Sequence, residues 1–354
     1  MKKRYSLILA AVLAAVIAGC SSSEEHLSSV SQERLSSAGS ELSSPIPSSA
    51  SGSAESGPAG TAVTFTDGLG RSLTVDSPRR VAALIGSFAD MWCLAGGKDT
   101  LVAAAADTWT QFSLDLPDTV QNLGAVKEPS AETLLAVQPD LVLASTKTQA
   151  DIDLLPTLEQ AGIPVAYFDV SSFSDYLEML EICTRITGCP ERYEQYGTAV
   201  QAQVEEAKAR AEGKEAPTVL YLRATGGSCK VKNSKGSVLG EMLEDLRCTN
   251  IADSDASLLE ELSMESILAA DPDYIFLVLQ GGNQEKARQT LEKAVLSNPA
   301  WQQLTAVKEG RCHYMDQALY NLKPNARWGE AYEGLAEIPV SYTHLRAHET
   351  RRHL

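Results

Sequence analysis

Two stretches decide the fold: SAETLLAVQPDLV at residues 130–142 and SMESILAADPDYI at residues 263–275. They share Ser, Glu, Leu, Ala, Pro and Asp in the same order and at the same spacing. In each copy the Ser is suited to cap a helix, and the Glu lies in the first turn, where the helix dipole favours a negative charge. The Pro-Asp pair ends the helix. The repeat therefore predicts the same helix-to-strand junction twice.

Each copy leads into a short apolar run, at residues 141–144 and 275–279. A run without polar alternation is typical of a strand that is buried on both faces of a parallel sheet. Between the copies, residues 191–211 contain one Gly and no Pro, and a helix of this length would extend about 30 Å. The predicted fold class is α/β, with two similar lobes of mainly parallel sheet joined by one long connecting helix.

The N-terminus has the pattern of a lipoprotein signal peptide over residues 1–19. Lys2, Lys3 and Arg4 precede an apolar segment that is too short to span a bilayer comfortably. The segment ends in Ile-Ala-Gly-Cys, which resembles the bacterial lipobox and predicts lipidation of Cys20. The alternative is a plain secretory signal with an incidental cysteine.

The rest of the chain divides by composition and pattern. Residues 20–62 are rich in Ser and cannot bury enough apolar surface to fold, so we expect a disordered tether. The predicted folded parts are an N-terminal α/β lobe at 63–173, a helical segment with the connecting helix at 174–212, and a C-terminal α/β lobe at 213–339.

The last residues, 340–354, break the preceding pattern. Back-translated, VSYTHLRAHET resembles a transposon end that runs into a sequencing adapter, so we expect an artefact that begins after Ile338 or Pro339. We therefore do not interpret His344 and His348 as a metal site.

The charge and the cysteines limit the possible functions. The chain carries 30 basic and 46 acidic residues, a net charge of −16, and has no long basic run, which argues against a nucleic-acid partner. None of the seven cysteines has C-x-x-C spacing, so neither a zinc site nor a redox motif is expected. Export permits disulfides, and the pairing stays open.

Several ordered segments between residues 64 and 338 resemble one known family. They are DGLGRSLTV with SPRRVAAL, LGAVKEPSAETLLAVQPDLVLA, AGIPVAYFD, ELSMESILAADPDYIFLV, NPAWQQLTAVKEGRCHYM and KPNARW. They resemble the substrate-binding lipoproteins of ABC importers that take up ferric siderophores, haem and cobalamin. The resemblance implies a binding protein without enzymatic activity or cofactor, which holds its ligand in a cleft between the two lobes. It also implies that the protein closes little on the ligand and delivers it to a permease and its ATPase. It also implies a lipid-anchored monomer at the outer face of the cytoplasmic membrane.

The resemblance places transporter docking at Glu132 and Glu265, which occupy the same position in the two repeats. In this family one acidic residue on each lobe meets arginines of the transporter. The alternative is that both are only favourable first-turn residues.

Ligand contacts are expected beyond the carboxyl ends of the strands. Ferric siderophores and haem carry negative charge, so Arg223 and Arg327 are candidate ligand cations, with Lys147 also at a strand end. Trp109 and Tyr320 could stack on a flat ligand. Further candidate cleft positions are Ser87, Phe88, residues 171–173, 224–227, 280–283 and 317–319. Lys230, Lys232 and Lys235 are either further ligand cations or part of a solvated loop.

A ferric siderophore is the favoured ligand, and haem or cobalamin is the alternative. Haem iron can be held by Tyr as well as His, whereas a bare zinc or manganese site would need more histidines than His313, the only one in the predicted lobes. A P-loop, G-x-S-x-G and H-E-x-x-H are absent from the sequence, so an enzyme on the same fold is a remote alternative. A purely structural lipoprotein would not account for two lobes and a cleft.

Overall fold

The computed structural model describes residues 62–214 and 216–338. The predicted signal peptide with Cys20, the tether up to residue 61 and the tail from residue 339 lie outside the described residues. In the described ranges, none of the helices combines the length and the apolar character that crossing a membrane requires.

The N-terminal lobe is built on a five-stranded parallel sheet. An antiparallel hairpin of β1 (Val63–Thr66) and β2 (Ser72–Val75) precedes it. The sheet consists of β3 (Val81–Ala83), β4 (Leu101–Ala104), β5 (Gln121–Asn122), β6 (Leu141–Ser145) and β7 (Val165–Phe168). Their spatial order is β5-β4-β3-β6-β7, so the chain reverses direction across the sheet between β3 and β6. The connecting helices are α1 (Gly86–Leu94), α2 (Asp107–Thr110), α3 (Ala131–Ala136) and α4 (Gln149–Gln160).

A helical segment joins the two sheets. Helix α5 (Phe173–Thr187) begins with a capping box at Ser172 and ends at Gly188, which adopts the left-handed conformation. Helix α6 (Pro190–Tyr193), a π-helical segment and α7 (Ala199–Ala211) then continue as one rod. This rod is the predicted connecting helix.

The C-terminal lobe repeats the architecture. Its strands are β8 (Thr218–Ala224), β9 (Cys229–Lys232), β10 (Thr249–Asn250), β11 (Tyr274–Leu279) and β12 (Cys312–Met315). Strands β10, β8, β11 and β12 lie side by side in parallel, and β9 pairs antiparallel with β8. Its helices are α8 (Val238–Asp245), α9 (Ile251–Ser254), α10 (Ser257–Glu260), α11 (Met264–Ala270), α12 (Gln284–Leu291), α13 (Thr305–Lys308), α14 (Gln317–Tyr320) and α15 (328–338).

The repeated sequence forms the same junction in both lobes, which confirms the prediction. Ser130 and Ser263 each accept a backbone N–H at 3.2 Å as N-caps of α3 and α11. Strands β6 and β11 then follow, and every residue in them is buried. The repeated aspartate fixes the start of the neighbouring strand: Asp140 accepts the backbone N–H of Arg80 at 2.9 Å, and Asp273 accepts that of Thr218 at 2.8 Å.

Three apolar clusters hold the structure together. One covers the outer face of the N-terminal sheet around Leu134, and another covers the outer face of the C-terminal sheet around Leu291. The third contains residues of both sheets, such as Leu143 and Phe276, together with side chains of α5, α7 and α15. Because this inner core is continuous across both lobes, large rearrangements between them would expose apolar surface.

Candidate functional site

A cleft of about 710 Å³ lies between the lobes, at the carboxyl ends of their parallel strands. In an open α/β sheet, ligands bind where the strand order reverses, and the loops after β3 and β6 border the cleft at this point. The N-terminal lobe contributes Ile85, Ser87, Asp107, Thr110, Gln111, Phe112, Ala125, Val126, Lys127, Lys147, Thr148, Gln149 and Ala150. The C-terminal side contributes Gln280, Gly281, Gly282, Gln317, Asn321, Leu322 and Lys323.

The charged side chains of the cleft are mostly basic. Lys127, Lys147 and Lys323 line it, and Asp107 is the one carboxylate among its described lining residues. This excess of cations contrasts with the net charge of −16 of the chain. The cleft therefore suits an anionic ligand.

Lys323 is the most buried of the three cleft lysines. Its Nζ is 5.7 Å from the centroid of the Phe88 ring. Burial lowers the pKa of Lys323, while the carboxylates of Asp169, Asp107 and Asp151 partly oppose that shift. In the described ranges no carboxylate oxygen lies within 4.0 Å of the Lys323 ammonium, which leaves it available to a bound anion.

Lys147 is differently placed. Its Nζ forms an ion pair with Asp169 at 2.9 Å, and its side chain is 53% exposed. It also lines a smaller cavity of about 410 Å³ together with Asp169. Lys147 thus lies between the cleft and this second cavity and lines both.

Two carboxylates support the loops that form the cleft floor. Asp107 accepts the backbone N–H of Gly86 at 2.9 Å, and Asp151 accepts that of Ser145 at 2.8 Å. Gly86 packs so tightly there that an added Cβ would lie 2.9 Å from Asp107 Cγ. Burial raises the pKa of Asp107, and burial with the nearby Asp107 charge raises the pKa of Asp151 to about 7. The remaining oxygen of Asp151, Oδ1, is buried and has no hydrogen-bond partner among the described residues.

Replacing Asp151 with Asn should make the protein more stable at high pH and change little at low pH. Because burial raises the pKa of Asp151 to about 7, the folded state binds more protons than the unfolded state below that value. The contribution of Asp151 to stability is therefore complete below about pH 4, the pKa of an unfolded Asp, and is lost as the pH rises to about 7. Denaturant unfolding at about pH 4 and about pH 8.5 should show a variant advantage of roughly 1 to 4 kcal/mol at the higher pH. Asp153→Asn, an exposed change on the same helix, is the control; an equal effect of Asp151→Asn at both pH values would contradict the prediction.

Arg223 lies beside the cleft. It is half-buried, and its Nη1 donates to Oδ1 of the lining residue Asn321 at 3.4 Å. It pairs across the sheet with Lys230, and burial together with the Arg223 charge lowers the pKa of Lys232. Over residues 62–214 and 216–338, none of these three cations has a carboxylate oxygen within 4.0 Å. They form a cationic annex, defined as Arg223, Lys230 and Lys232, next to the cleft.

The other predicted ligand residues do not line the cleft. Arg327 is exposed and pairs with Glu330 at 2.7 Å. Tyr320 is 6% exposed, and its hydroxyl donates to the carbonyl of Ala331 at 3.1 Å. Trp109 packs partly buried against the inner core. Lys235 forms ion pairs on the surface with Glu241 and Glu244. Neither of the two predicted stacking residues borders the cavity.

One hydrogen bond joins the lobes directly across the cleft. Gln317 Nε2 donates to Gln111 Oε1 at 2.9 Å, and Gln317 Oε1 accepts the backbone N–H of Gly281 at 3.0 Å. The second bond orients the amide of Gln317 so that it acts as donor towards Gln111. Neutral amide donors beside lysines can solvate anionic oxygens.

Glu132 and Glu265 are both exposed in the first turns of α3 and α11. In the part of the chain that the structure describes, neither forms an ion pair within 4.0 Å. Their helices are the repeated elements of the two lobes, so the two carboxylates occupy equivalent positions.

The described residues contain no cluster of three or more His, Cys, Asp or Glu arranged to hold a metal ion. His313 lies in β12 and stacks on Phe276 with ring centroids 5.9 Å apart. The six cysteines of the described ranges are free thiols in this structure.

Sequence reasoning missed several cleft residues. Lys127 and Lys323 lie in the quoted family segments but were not distinguished there as ligand residues. Strand β9 was also missed, because Lys230 and Lys232 interrupt its apolar pattern. The sequence signal that could have identified Lys323 is its position in KPNARW, one of the segments that carry the family resemblance.

Two α/β lobes, a connecting helix and a cationic cleft at the carboxyl ends of the strands define a two-lobe solute-binding protein. The family model described as periplasmic binding protein matches residues 81–319, and the chain belongs to this family. Family and fold are thus the predicted ones.

Individual relatives are more distant. The iron-uptake system-binding protein of Bacillus subtilis is 25% identical over 223 residues, 62% of this chain and just under two thirds (66%) of that relative. The Fe(3+)-citrate-binding protein YfmC of Bacillus subtilis is 24% identical over 260 residues, 71% of this chain and 77% of the relative. The apo structure of the periplasmic heme-binding protein RhuT from Roseiflexus sp. RS-1 matches with a TM-score of 0.61 and 21% identity, over 73% of this chain and 97% of RhuT. At that identity the structural match supports the fold alone.

Proposed function

We propose that this protein is the extracytoplasmic solute-binding component of an ABC importer, and that it captures an anionic iron complex of the ferric siderophore type. The observation that carries the proposal is the cleft of about 710 Å³ lined by Lys127, Lys147 and Lys323. A chain with a net charge of −16 concentrates cations at this place, where the fold positions ligands. Iron-uptake and ferric-citrate binding by two relatives support an iron complex.

The cationic annex extends the proposed binding site beyond the cleft. Arg223 contacts the cleft wall through Asn321, and its like-charged neighbours Lys230 and Lys232 repel it. Like charges placed opposite each other on a sheet destabilise it. An anionic ligand that extends from Lys323 towards Arg223 would relieve this repulsion. We therefore retain Arg223 and Lys147 as ligand residues, and Lys323 takes the role that the sequence suggested for Arg327.

Haem is the second candidate, because the heme-binding protein RhuT has the same fold. Protein ligands to haem iron are His, Cys, Met or Tyr. None of these residue types is among the described residues that line the cleft. The cleft chemistry therefore favours a chelate whose iron is already saturated by its own donor atoms.

The remaining assignments follow from the same proposal. Cys20 would carry the lipid anchor at the outer face of the cytoplasmic membrane, and more than one acyl chain gives stable anchoring. Glu132 and Glu265 would dock the two lobes on the permease, whose ATPase drives import. The protein would act as a monomer that binds without turning over its ligand.

Tryptophan fluorescence of the full chain in detergent tests the ligand class. Trp109 lies on α2, whose Asp107 and Thr110 line the cleft, so ligand entry should quench its emission. The panel comprises ferric citrate, a ferric hydroxamate, a ferric catecholate, haem and cobalamin, with the iron-free chelators as controls. Saturable quenching by a ferric chelate that weakens with added salt is the expected result. Binding of haem or cobalamin alone would contradict the ferric siderophore, and no response to any member would contradict the proposed function.

A further inference from the structure

Asn325 lies just beyond the cleft lysine Lys323 and is fully buried. Its φ of 53° is in the left-handed region, which non-glycine residues seldom adopt and Asn tolerates best. Such backbone strain persists only where surrounding interactions enforce it.

The amide of Asn325 supplies those interactions. Its Nδ2 donates to the carbonyl oxygen of Ser87 at 2.8 Å and to Asp90 Oδ2 at 2.8 Å. Both acceptors belong to α1 in the N-terminal lobe, while Asn325 follows the last strand of the C-terminal lobe. The two bonds therefore hold the segment after α14 against the N-terminal half of α1.

The start of α1 also forms part of the cleft wall. Ser87 lines the cleft, and the next residue, Phe88, supplies the ring near the Lys323 ammonium. Asp107, Asp151 and Asp169, the carboxylates whose charges act on Lys323, all belong to the N-terminal lobe. Lys323 thus belongs to the C-terminal part of the chain, but the aromatic ring and the carboxylates that act on its ammonium group belong to the N-terminal lobe. The placement of Lys323 depends on the attachment of its segment to α1.

We propose that Asn325 is a positioning residue. Its amide holds the segment that contains Lys323 against α1 and thereby fixes the position of the Lys323 ammonium group in the cleft. The consequence for ligand affinity rests on the proposed function, whereas the effect on Lys323 itself does not. Asn325 needs no contact with the ligand, because it acts through Lys323.

The first experiment measures the pH titration of Lys323 by NMR in the absence of ligand. Lysines of the full chain are reductively methylated with ¹³C, and the Lys323 signal is assigned by its loss in Lys323→Gln. In the wild type, Lys323 should titrate below the exposed lysines, since burial lowers its pKa. Asn325→Gly keeps the left-handed backbone and removes the amide, so the released segment should let Lys323 titrate closer to the exposed lysines. An unchanged Lys323 titration in Asn325→Gly would overturn the proposal.

Controls separate this effect from general loosening of the fold. Ser77→Gly changes another non-glycine residue with positive φ (43°) and should leave the Lys323 signal unaltered. Asp90→Ala removes one of the two acceptors and should move the Lys323 titration in the same direction by a smaller amount. This variant decides the question if Asn325→Gly does not fold, and no movement in Asp90→Ala would then count against the proposal.

A double-mutant cycle tests the functional consequence with the ferric chelate that binds most tightly in the fluorescence panel. Asn325→Gly should weaken binding about 5- to 10-fold, as loss of a positioning hydrogen bond does. In the Lys323→Gln background the same change should have almost no further effect, since residues that act as a unit are not additive. Fully multiplicative losses would show that Asn325 does not act through Lys323. Failure of every chelate to bind would refute the proposed function and leave the NMR result to decide the role of Asn325.

Discussion

Replacing Lys323 with glutamine is expected to weaken binding of the ferric chelate by roughly 10- to 100-fold, the loss typical of a hydrogen bond to a charged group in a partly buried site. Lys323 is the cleft lysine whose charge is least solvated and has no carboxylate within 4.0 Å among the described residues. A bound anion would therefore gain most from it. Glutamine keeps much of the side-chain length and removes the charge, so the loss reports the charge itself.

Two comparisons sharpen the result. Lys147→Gln should cost less than Lys323→Gln, because Lys147 is 53% exposed and already paired with Asp169. Lys293→Gln, an exposed change outside the cleft, should leave the affinity unaltered. Isothermal titration calorimetry at two salt concentrations measures all three variants. Equal affinities for Lys323→Gln and Lys293→Gln would remove Lys323 from the site.

Replacing both Glu132 and Glu265 with alanine is expected to abolish uptake and to leave ligand affinity unchanged. Both side chains are exposed, and they lie at equivalent positions of the two repeated helices. Neither residue lines the cleft. Charged pairs at the rim of an interface mainly govern recognition and orientation, so losing both should disrupt productive docking. Each single variant should retain partial uptake.

Uptake of the radiolabelled ferric chelate by cells that carry each variant is the measurement, with calorimetry on the purified proteins beside it. The matched control is Glu159→Ala with Glu292→Ala, which removes one exposed carboxylate from each lobe at positions outside the repeat. That control should import like the wild type. Normal uptake by the Glu132/Glu265 double variant would leave both residues as helix-start glutamates only.

The sequence was sufficient to predict the local junctions. Ser130 and Ser263 cap their helices because a side-chain hydroxyl three residues upstream of a free backbone N–H satisfies it locally. The buried strands β6 and β11 follow from uninterrupted apolar runs. These features depend on neighbours in the chain, so pattern alone determines them, and their repetition predicted two lobes.

The cleft was only partly predictable. Lys147 lies at the end of a recognisable strand and was identified from that position alone, and Arg223 likewise was found beside the cleft. Tyr320 and Arg327 have suitable chemistry at suitable places in the sequence. The fold nevertheless turns Tyr320 into the core and pairs Arg327 with Glu330 at the surface.

What the sequence by itself determined is the family, the two lobes and the repeated helix-to-strand junction, because each depends on local patterns of capping and apolar residues. Only the tertiary structure decided which cations share the cleft. Next to Lys323, Asn325 donates hydrogen bonds of 2.8 Å to Ser87 and Asp90, which lie 238 and 235 residues earlier in the chain. Side-chain direction and charge environment arise from such long-range contacts, and no local pattern in the chain encodes them.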